Sequence, residues 1–516
     1  MGVPSLKNDA IVDTARSDGE KTQDSLEVNE EHVLQARTIG VFGAISLVVN
    51  KIVGAGIFST PSTIFNLSGS VGMALMIWVI GGMIATCGAL VMLELGTSMP
   101  RSGGMKVYLE RTFSPKLLVT CVYMFYCVFL QVSASNAITT SSYLLQAADV
   151  EATTWRMRGL AVGAAAFAVG VHIVWPRLGR ALQDLLSVVK LFTLFFIVCT
   201  GFAALAGHRR IPDPHNFDVA TSFKGTSDSG YNIGTALLNA IFAYGGYDNV
   251  LSEVKNPRRT LRIALPTSMA LVTVLYVLAN IAYFAAVPKE EFIHAKVTIA
   301  SAMFKNVFGE SAGTRALPAL VAISALGHLL GIAFTVPRVI QELGKDGIAP
   351  FPSLVMQNRP FKTPIVALLI HLGVTILFIC APPAGDAFNF VVKLSSYPTT
   401  VLSVATTIGL IKLRLRKPSD FQPAFKTSWA FIVFYLAGNI FLIVMPFVRP
   451  PKGSSSSYPY WLVPVVALAI LALGFVYYAL RFMFLPYLFR YRLNLVQVEL
   501  SDGSQVRRYK MDRGHR

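Results

Sequence analysis

Of the chain's 516 residues, 53% are hydrophobic and only 14% charged, well below the about 25% charged residues of soluble globular proteins. With a mean hydropathy of +0.55, this excludes a row of soluble domains. Apolar stretches of about 20 residues, the length that crosses a bilayer, recur along the chain and predict an all-α integral membrane protein. The net charge of +17 raises the idea of a nucleic-acid partner. Its placement in short connections between apolar stretches removes that idea and leaves membrane lipid as the partner of the basic surface.

Residues 1–38 form a polar tail with eight acidic and four basic residues and no aromatic side chain, so it is expected to be disordered. The tail lacks the apolar core of a cleavable signal. Twelve helices are predicted at 39–65, 71–97, 117–147, 158–175, 182–206, 231–252, 263–287, 314–342, 364–381, 387–411, 427–447 and 458–484. They are numbered here as spans one to twelve. Residues 288–311 read as short amphipathic helices between spans seven and eight. Residues 485–516 are a basic tail in which Tyr487, Tyr491 and nearby arginines fit an interfacial anchor. Connections on the side of the two termini hold 31 Lys and Arg against 11 on the other side. The positive-inside rule therefore places both termini in the cytoplasm.

Two spans carry breaks. Span one reads Asn50-Lys51-Ile52-Val53-Gly54-Ala55-Gly56-Ile57-Phe58-Ser59-Thr60-Pro61, and span six reads Ile241-Phe242-Ala243-Tyr244-Gly245-Gly246-Tyr247-Asp248-Asn249. Irregular backbone at membrane depth survives only where it lines a cavity or finds partners. Breaks in the first helix of each half of a five-plus-five inverted repeat (residues 39–206 and 231–411, with spans eleven and twelve added at 427–484) point to a midplane binding site. Free amides of Ala55, Gly56 and Ile57 at a helix start suit a carboxylate. Carbonyls freed near Ile52, Phe242 and Tyr244 suit an ammonium, and Gly54 and Gly245 at the breaks are expected to line the same substrate site. A backbone site for both charges of a zwitterion is a site for an amino acid.

These residues also resemble a known family. Gly54-Ala55-Gly56-Ile57-Phe58-Ser59-Thr60-Pro61 is similar to the first-helix motif of the amino acid–polyamine–organocation superfamily. Phe242-Ala243-Tyr244-Gly245-Gly246-Tyr247 is similar to the sixth-helix motif of its L-type amino acid transporter family. Glu94-Leu95-Gly96-Thr97, Pro100-Arg101-Ser102-Gly103-Gly104, Glu253-Val254-Lys255-Asn256-Pro257-Arg258-Arg259-Thr260, Lys345-Asp346-Gly347 and Leu413-Arg414-Leu415-Arg416-Lys417-Pro418 follow in family order. Asn50 to Ser62 and Leu394-Ser395-Ser396-Tyr397-Pro398 look most like the fungal high-affinity methionine permease branch. The resemblance implies alternating-access uptake of a neutral, hydrophobic or sulfur-containing amino acid, methionine favoured, across the plasma membrane with a proton. An exchanger of the same family and a non-transporting amino-acid receptor are the alternatives.

The resemblance also assigns residues. Phe242 covers the substrate as a gate, His328 and Ile332 of span eight face its side chain, and Ser395 and Thr399 of span ten are further contacts. Lys190 stands where sodium-driven cousins hold an ion and is the expected coupling residue. It lies about eight residues into span five, roughly 12 Å deep at 1.5 Å per residue, where a lysine faces the bundle interior. Family members often have serine where Ala55 stands, so one side-chain contact to the carboxylate is missing. Residues 148–157 lack the cysteine of heavy-chain-linked relatives, so no disulfide-linked heavy chain is expected. Lys7 and Lys21 make the first tail an expected site for ubiquitin-ligase adaptors.

Other polar residues in the spans read as structural. Glu94 is expected to pair with Arg101 or a loop lysine, Asp248 to cap a helix, and Lys393 to snorkel. His172 and His371 show no partner in the sequence. The five cysteines all lie in apolar stretches, so no disulfide framework is expected. No cofactor is expected, and no metal cluster, nucleophile–base pair or nucleotide-binding glycine loop supports an enzyme or a nucleotide-driven pump.

Overall fold

The computed structural model describes residues 40–99, 104–247, 257–295, 297–309, 315–358, 361, 363–383, 385–451, 457–499 and 505–512. The first tail with Lys7 and Lys21, Arg101 and Asp248 lie outside them. Nine helices among the described residues are long and apolar enough to cross a membrane: Val71–Ser98, Lys116–Ala147, Thr154–Val174, Pro176–Leu205, Arg259–Ala286, Ala316–Lys345, Ala387–Arg416, Trp429–Phe447 and Leu462–Leu488. Val41–Ile52 with its continuation to Ser68, Gly230–Tyr244 and Ile365–Cys380 fill the places of spans one, six and nine. Each of the twelve expected stretches thus contains a helix, and the protein is a multi-pass membrane protein.

Local chemistry sets the ends of these helices. The Ser70, Thr153 and Ser229 hydroxyls accept from the backbone N–H of Met73, Arg156 and Asn232 and so cap spans two, four and six. Pro176 at the first position of span five turns the chain directly out of span four. Span one ends at Gly69, whose φ of 78° is left-handed and whose ideal Cβ would lie 2.1 Å from the Gly225 carbonyl oxygen. The predicted amphipathic helices between spans seven and eight are Lys289–His294 and Ile299–Phe308, which bury Phe292 and Phe304.

Helices in a bilayer gain little from apolar burial against each other, so close approach of small residues holds them together. An ideal Cβ on Gly201 would lie 2.0 Å from Ala282 Cβ, and one on Gly81 would lie 2.9 Å from Ala240 Cβ. Span five shows the resulting two-faced pattern. Lys190, Thr193, Ile197 and Gly201 are buried, whereas Phe192, Phe195 and Phe202 are exposed on the outer face, where lipid would lie.

Three elements depart from the sequence reading. Span three is interrupted: a π turn over Tyr126–Leu130 is followed by irregular backbone from Gln131 to Ser133, and helix resumes at Ala134. No glycine or proline marks this break. Polar side chains hold it, with Gln131 Nε2 donating to Tyr126 Oη at 3.1 Å and the buried Ser133 hydroxyl hydrogen-bonded to His371 Nε2. His371 therefore has a partner that sequence alone did not reveal.

Glu94 pairs with Arg414 of span ten, whereas the Arg101 pairing expected from the sequence lies outside the described residues. Arg414 Nε reaches Oε1 at 2.7 Å, and the Thr427 amide donates to Oε2 at 2.8 Å. The carboxylate is wholly buried, and removing one partner of such a pair costs about 3–5 kcal/mol. The pairing crosses 320 residues of sequence, which no local rule foresees.

The second tail contains an antiparallel hairpin, β1 (Arg492–Glu499) with β2 (Gln505–Asp512), rather than an anchor alone. Tyr509 packs edge-on to Phe482 with ring centroids 6.1 Å apart. Nearby, Lys106 Nζ lies 2.6 Å from Asp346 Oδ2 and 3.7 Å from Glu110 Oε1. Burial opposes its charge, but the two carboxylates outweigh that and raise its pKa.

Candidate functional site: two broken helices at the bundle centre

The first break begins where the hydrogen-bond ladder stops. Val53 N still donates to Val49 O at 2.9 Å, but Gly54 is extended at φ −135° and ψ −155°. Helix resumes at Ala55–Ser59 and runs through Thr60, in helical conformation, into Pro61–Ser68. Four carbonyls around this interruption are approached by a hydroxyl or an ammonium. Lys190 Nζ donates to Asn50 O. Tyr276 Oη donates toward Ile52 O at 3.1 Å. Pro61 has no N–H to offer Ile57 O, and Tyr283 Oη reaches that oxygen at 3.4 Å. Tyr143 Oη donates to Phe58 O at 2.9 Å.

Span six breaks beside it. Gly230–Tyr244 ends at Gly245, and Gly246 follows at φ 116°. An ideal Cβ on Gly56 would lie 2.6 Å from Ala243 Cα, and one on Gly246 would lie 2.8 Å from Lys51 O. The two interrupted segments are therefore in direct contact. Tyr276 Oη links them chemically, because it also lies 3.0 Å from Ala243 O. A phenol has one hydrogen, so it satisfies one of these two carbonyls at a time. The other is left with an acceptor lone pair for an incoming N–H group.

Ile52, Gly54, Ala55, Gly56 and Ile57 are all buried at the first break. Phe242 is half-buried on the last turn of span six, Tyr244 points its hydroxyl at Trp78 O 3.0 Å away, and Gly245 is exposed. The close backbone approach expected of Gly245 is made by Gly246 instead. An ideal Cβ on Gly245 meets only its own turn, 3.3 Å from Phe242 O. The structure brings His328 to the site: its ring lies 3.0 Å from the ideal Cβ position of Gly54 and hydrogen-bonds to the backbone of Val53. Ile332 is half-buried one turn further along span eight. Thr399 is occupied elsewhere, donating to Ser395 O at 2.9 Å and lying 2.9 Å from Tyr126 Oη of span three. Among the described residues the Ser395 hydroxyl has no partner. Lys393 lies over the Tyr231 ring, 5.9 Å from its centroid.

Two residues at this site were missed by sequence reasoning. Tyr276 sits within an apolar helix, where a tyrosine reads as packing. Asn136 Oδ1 accepts from Ala55 N at 3.4 Å, and its position just after the unforeseen break in span three hid it. The polar run Ser133-Ala134-Ser135-Asn136 in mid-span was the available signal.

Freed amides on one side and under-satisfied carbonyls on the other, at two helices broken side by side, are the arrangement found in membrane carriers. A family profile described as amino acid permease matches residues 39–471. The high-affinity methionine permease of Saccharomyces cerevisiae is 40% identical over 90% of this chain and 83% of its own length. The low-affinity methionine permease of the same yeast is 30% identical over 91% and 87%. The mouse b(0,+)-type amino acid transporter 1 is 28% identical over 90% and 92%. The chain belongs to the amino acid permease family: it is an amino-acid transporter and not an enzyme.

Phe242 gives the first expected result. Phe242→Ala should raise the apparent KM for substrate severalfold and let preloaded substrate leak from vesicles. Loss of folded protein with unaltered kinetics per molecule would show instead that the ring only packs.

Proposed function

We propose that this permease imports a neutral amino acid, methionine foremost, across the plasma membrane by alternating access coupled to a proton, with both termini in the cytoplasm. One observation carries the reading of the site: spans one and six break side by side, with amides of Gly56 and Ile57 offered to the substrate carboxylate, the Ala55 amide held by Asn136, and the Ile52 and Ala243 carbonyls sharing its ammonium with Tyr276. The two yeast relatives named as methionine permeases support the choice of side chain. Half-buried Ile332 and the His328 ring bound that side chain, and Phe242 closes over it. Lys190 carries the coupling: its ammonium rests on a carbonyl that exists as a free acceptor only because span one is broken there. Ubiquitin-ligase adaptors acting at Lys7 and Lys21 would remove the carrier from the surface.

A competition panel tests this reading. Radiolabelled methionine uptake is measured in cells lacking their own methionine permeases, with each of the other amino acids as competitor, at acidic and neutral external pH. Saturable uptake, strongest competition from methionine and other apolar amino acids, and greater accumulation at acidic pH are expected. Uptake that occurs only by exchange against internal amino acid, with no response to pH, would replace proton-coupled import with exchange.

A further inference from the structure

The first-helix motif carries Ala55 where a hydroxyl would otherwise reach the substrate, and the structure supplies a replacement from another helix. Asn136 of span three is 3% exposed, and its Oδ1 accepts from the Ala55 amide at 3.4 Å. An amide side chain has two ends, an acceptor oxygen and a donor NH2 group. Once the oxygen is fixed on Ala55 N, the NH2 group must point away from that amide. Among the described residues Asn136 Nδ2 donates to nothing, yet it is not among the sealed, unsatisfied polar atoms of the interior. It therefore reaches accessible space, next to the turn in which Gly56 and Ile57 follow Ala55.

The position of Asn136 is built rather than incidental. Helix resumes at Ala134, just after the irregular turn of span three, and the Ser133 hydroxyl bonded to His371 pins the start of that helix. Asn136 stands in its first turn, and the Thr140 hydroxyl donates back to Asn136 O at 2.8 Å. On the other side, Ser59 and Thr139 hydroxyls lie 3.1 Å apart and hold the resumed half of span one against the same helix.

We propose that Asn136 is a substrate-binding residue whose Nδ2 donates to the carboxylate of the transported amino acid, replacing the side-chain contact that Ala55 cannot make. This rests on the proposed amino-acid site and adds span three to it. The ligand class it recognises is an α-carboxylate. An uncharged carboxamide, which offers a weaker acceptor, should gain much less from it.

The test uses the full-length permease and compares methionine with methioninamide as competitors of methionine uptake, with surface amount measured for every variant. Asn136→Ala should raise the KM for methionine about tenfold, the effect of losing one hydrogen bond to a charged group. It should also narrow the preference for methionine over methioninamide by a similar factor. Asn136→Asp keeps the shape but sets a carboxylate against a carboxylate, and should abolish uptake at normal surface amount. Adding Ala55→Ser to Asn136→Ala should recover most of the lost affinity, which a purely structural asparagine would not allow. A KM within twofold of wild type and an unaltered methionine-to-methioninamide preference in Asn136→Ala would overturn the assignment. So would active Asn136→Asp. If the wild-type protein itself takes up no amino acid, the underlying transport reading fails instead.

Discussion

Gly56→Val is expected to abolish uptake, and Gly246→Val to do the same, whereas Gly245→Val should lose less. The reason is where each new Cβ would fall. On Gly56 it would lie 2.6 Å from Ala243 Cα and 2.7 Å from Ala243 Cβ, distances that real Cβ atoms do not adopt and that no rotamer can relieve, because the obstruction is backbone. Spans one and six would have to separate, taking the amides and carbonyls of the site apart with them. On Gly246 it would lie 2.8 Å from Lys51 O, at a φ of 116° that an L side chain rarely adopts. Gly245 has φ −65°, and among the described residues a Cβ there would meet only the carbonyls of its own turn. Uptake per surface molecule measures the effect. A Gly56→Val protein that reaches the surface and transports within twofold of wild type would refute the contact between the two breaks.

Lys190→Met is expected to retain some substrate binding but to lose pH-dependent accumulation, and Lys190→Arg to fail as well. Lys190 is 2% exposed, and its ammonium donates to Asn50 O. A charge at this depth is costly unless such acceptors surround it. Asn50 O is free only while Gly54 is extended, because a continuous helix would direct the Gly54 amide to it. Any movement of span one that remakes or shifts this break changes the support for the charge, so proton occupancy and gate position are linked. Methionine matches the length without the charge, and arginine keeps a proton it does not release. Accumulation at external pH 5 and pH 7.5 separates the cases. A methionine variant that still concentrates substrate more strongly at the acidic pH would assign Lys190 a structural role. His328, within electrostatic reach of it on span eight, would be the next group to examine.

Composition and periodicity alone determined that this is a twelve-span helical membrane protein, because a bilayer demands about 20 apolar residues per crossing and tolerates no unpaired backbone in lipid. The same demand made the break in span one legible: Gly54, Gly56 and Pro61 weaken a helix through backbone terms that act within one turn. Paired glycines marked span six, though which of them makes the close approach did not follow from the residues. The tertiary structure assigned it to Gly246, because that depends on Lys51 of another helix. The break in span three escaped for the same reason. It has no glycine or proline and is held by Gln131, Ser133 and His371 through side-chain partners 5 and 238 residues away. Likewise Glu94 was visible as a buried charge, but its choice of Arg414 was not. Hydropathy and helix breakers are local properties of a chain, whereas the partner of a buried polar group is chosen by whatever the packed helices place within 3 Å of it.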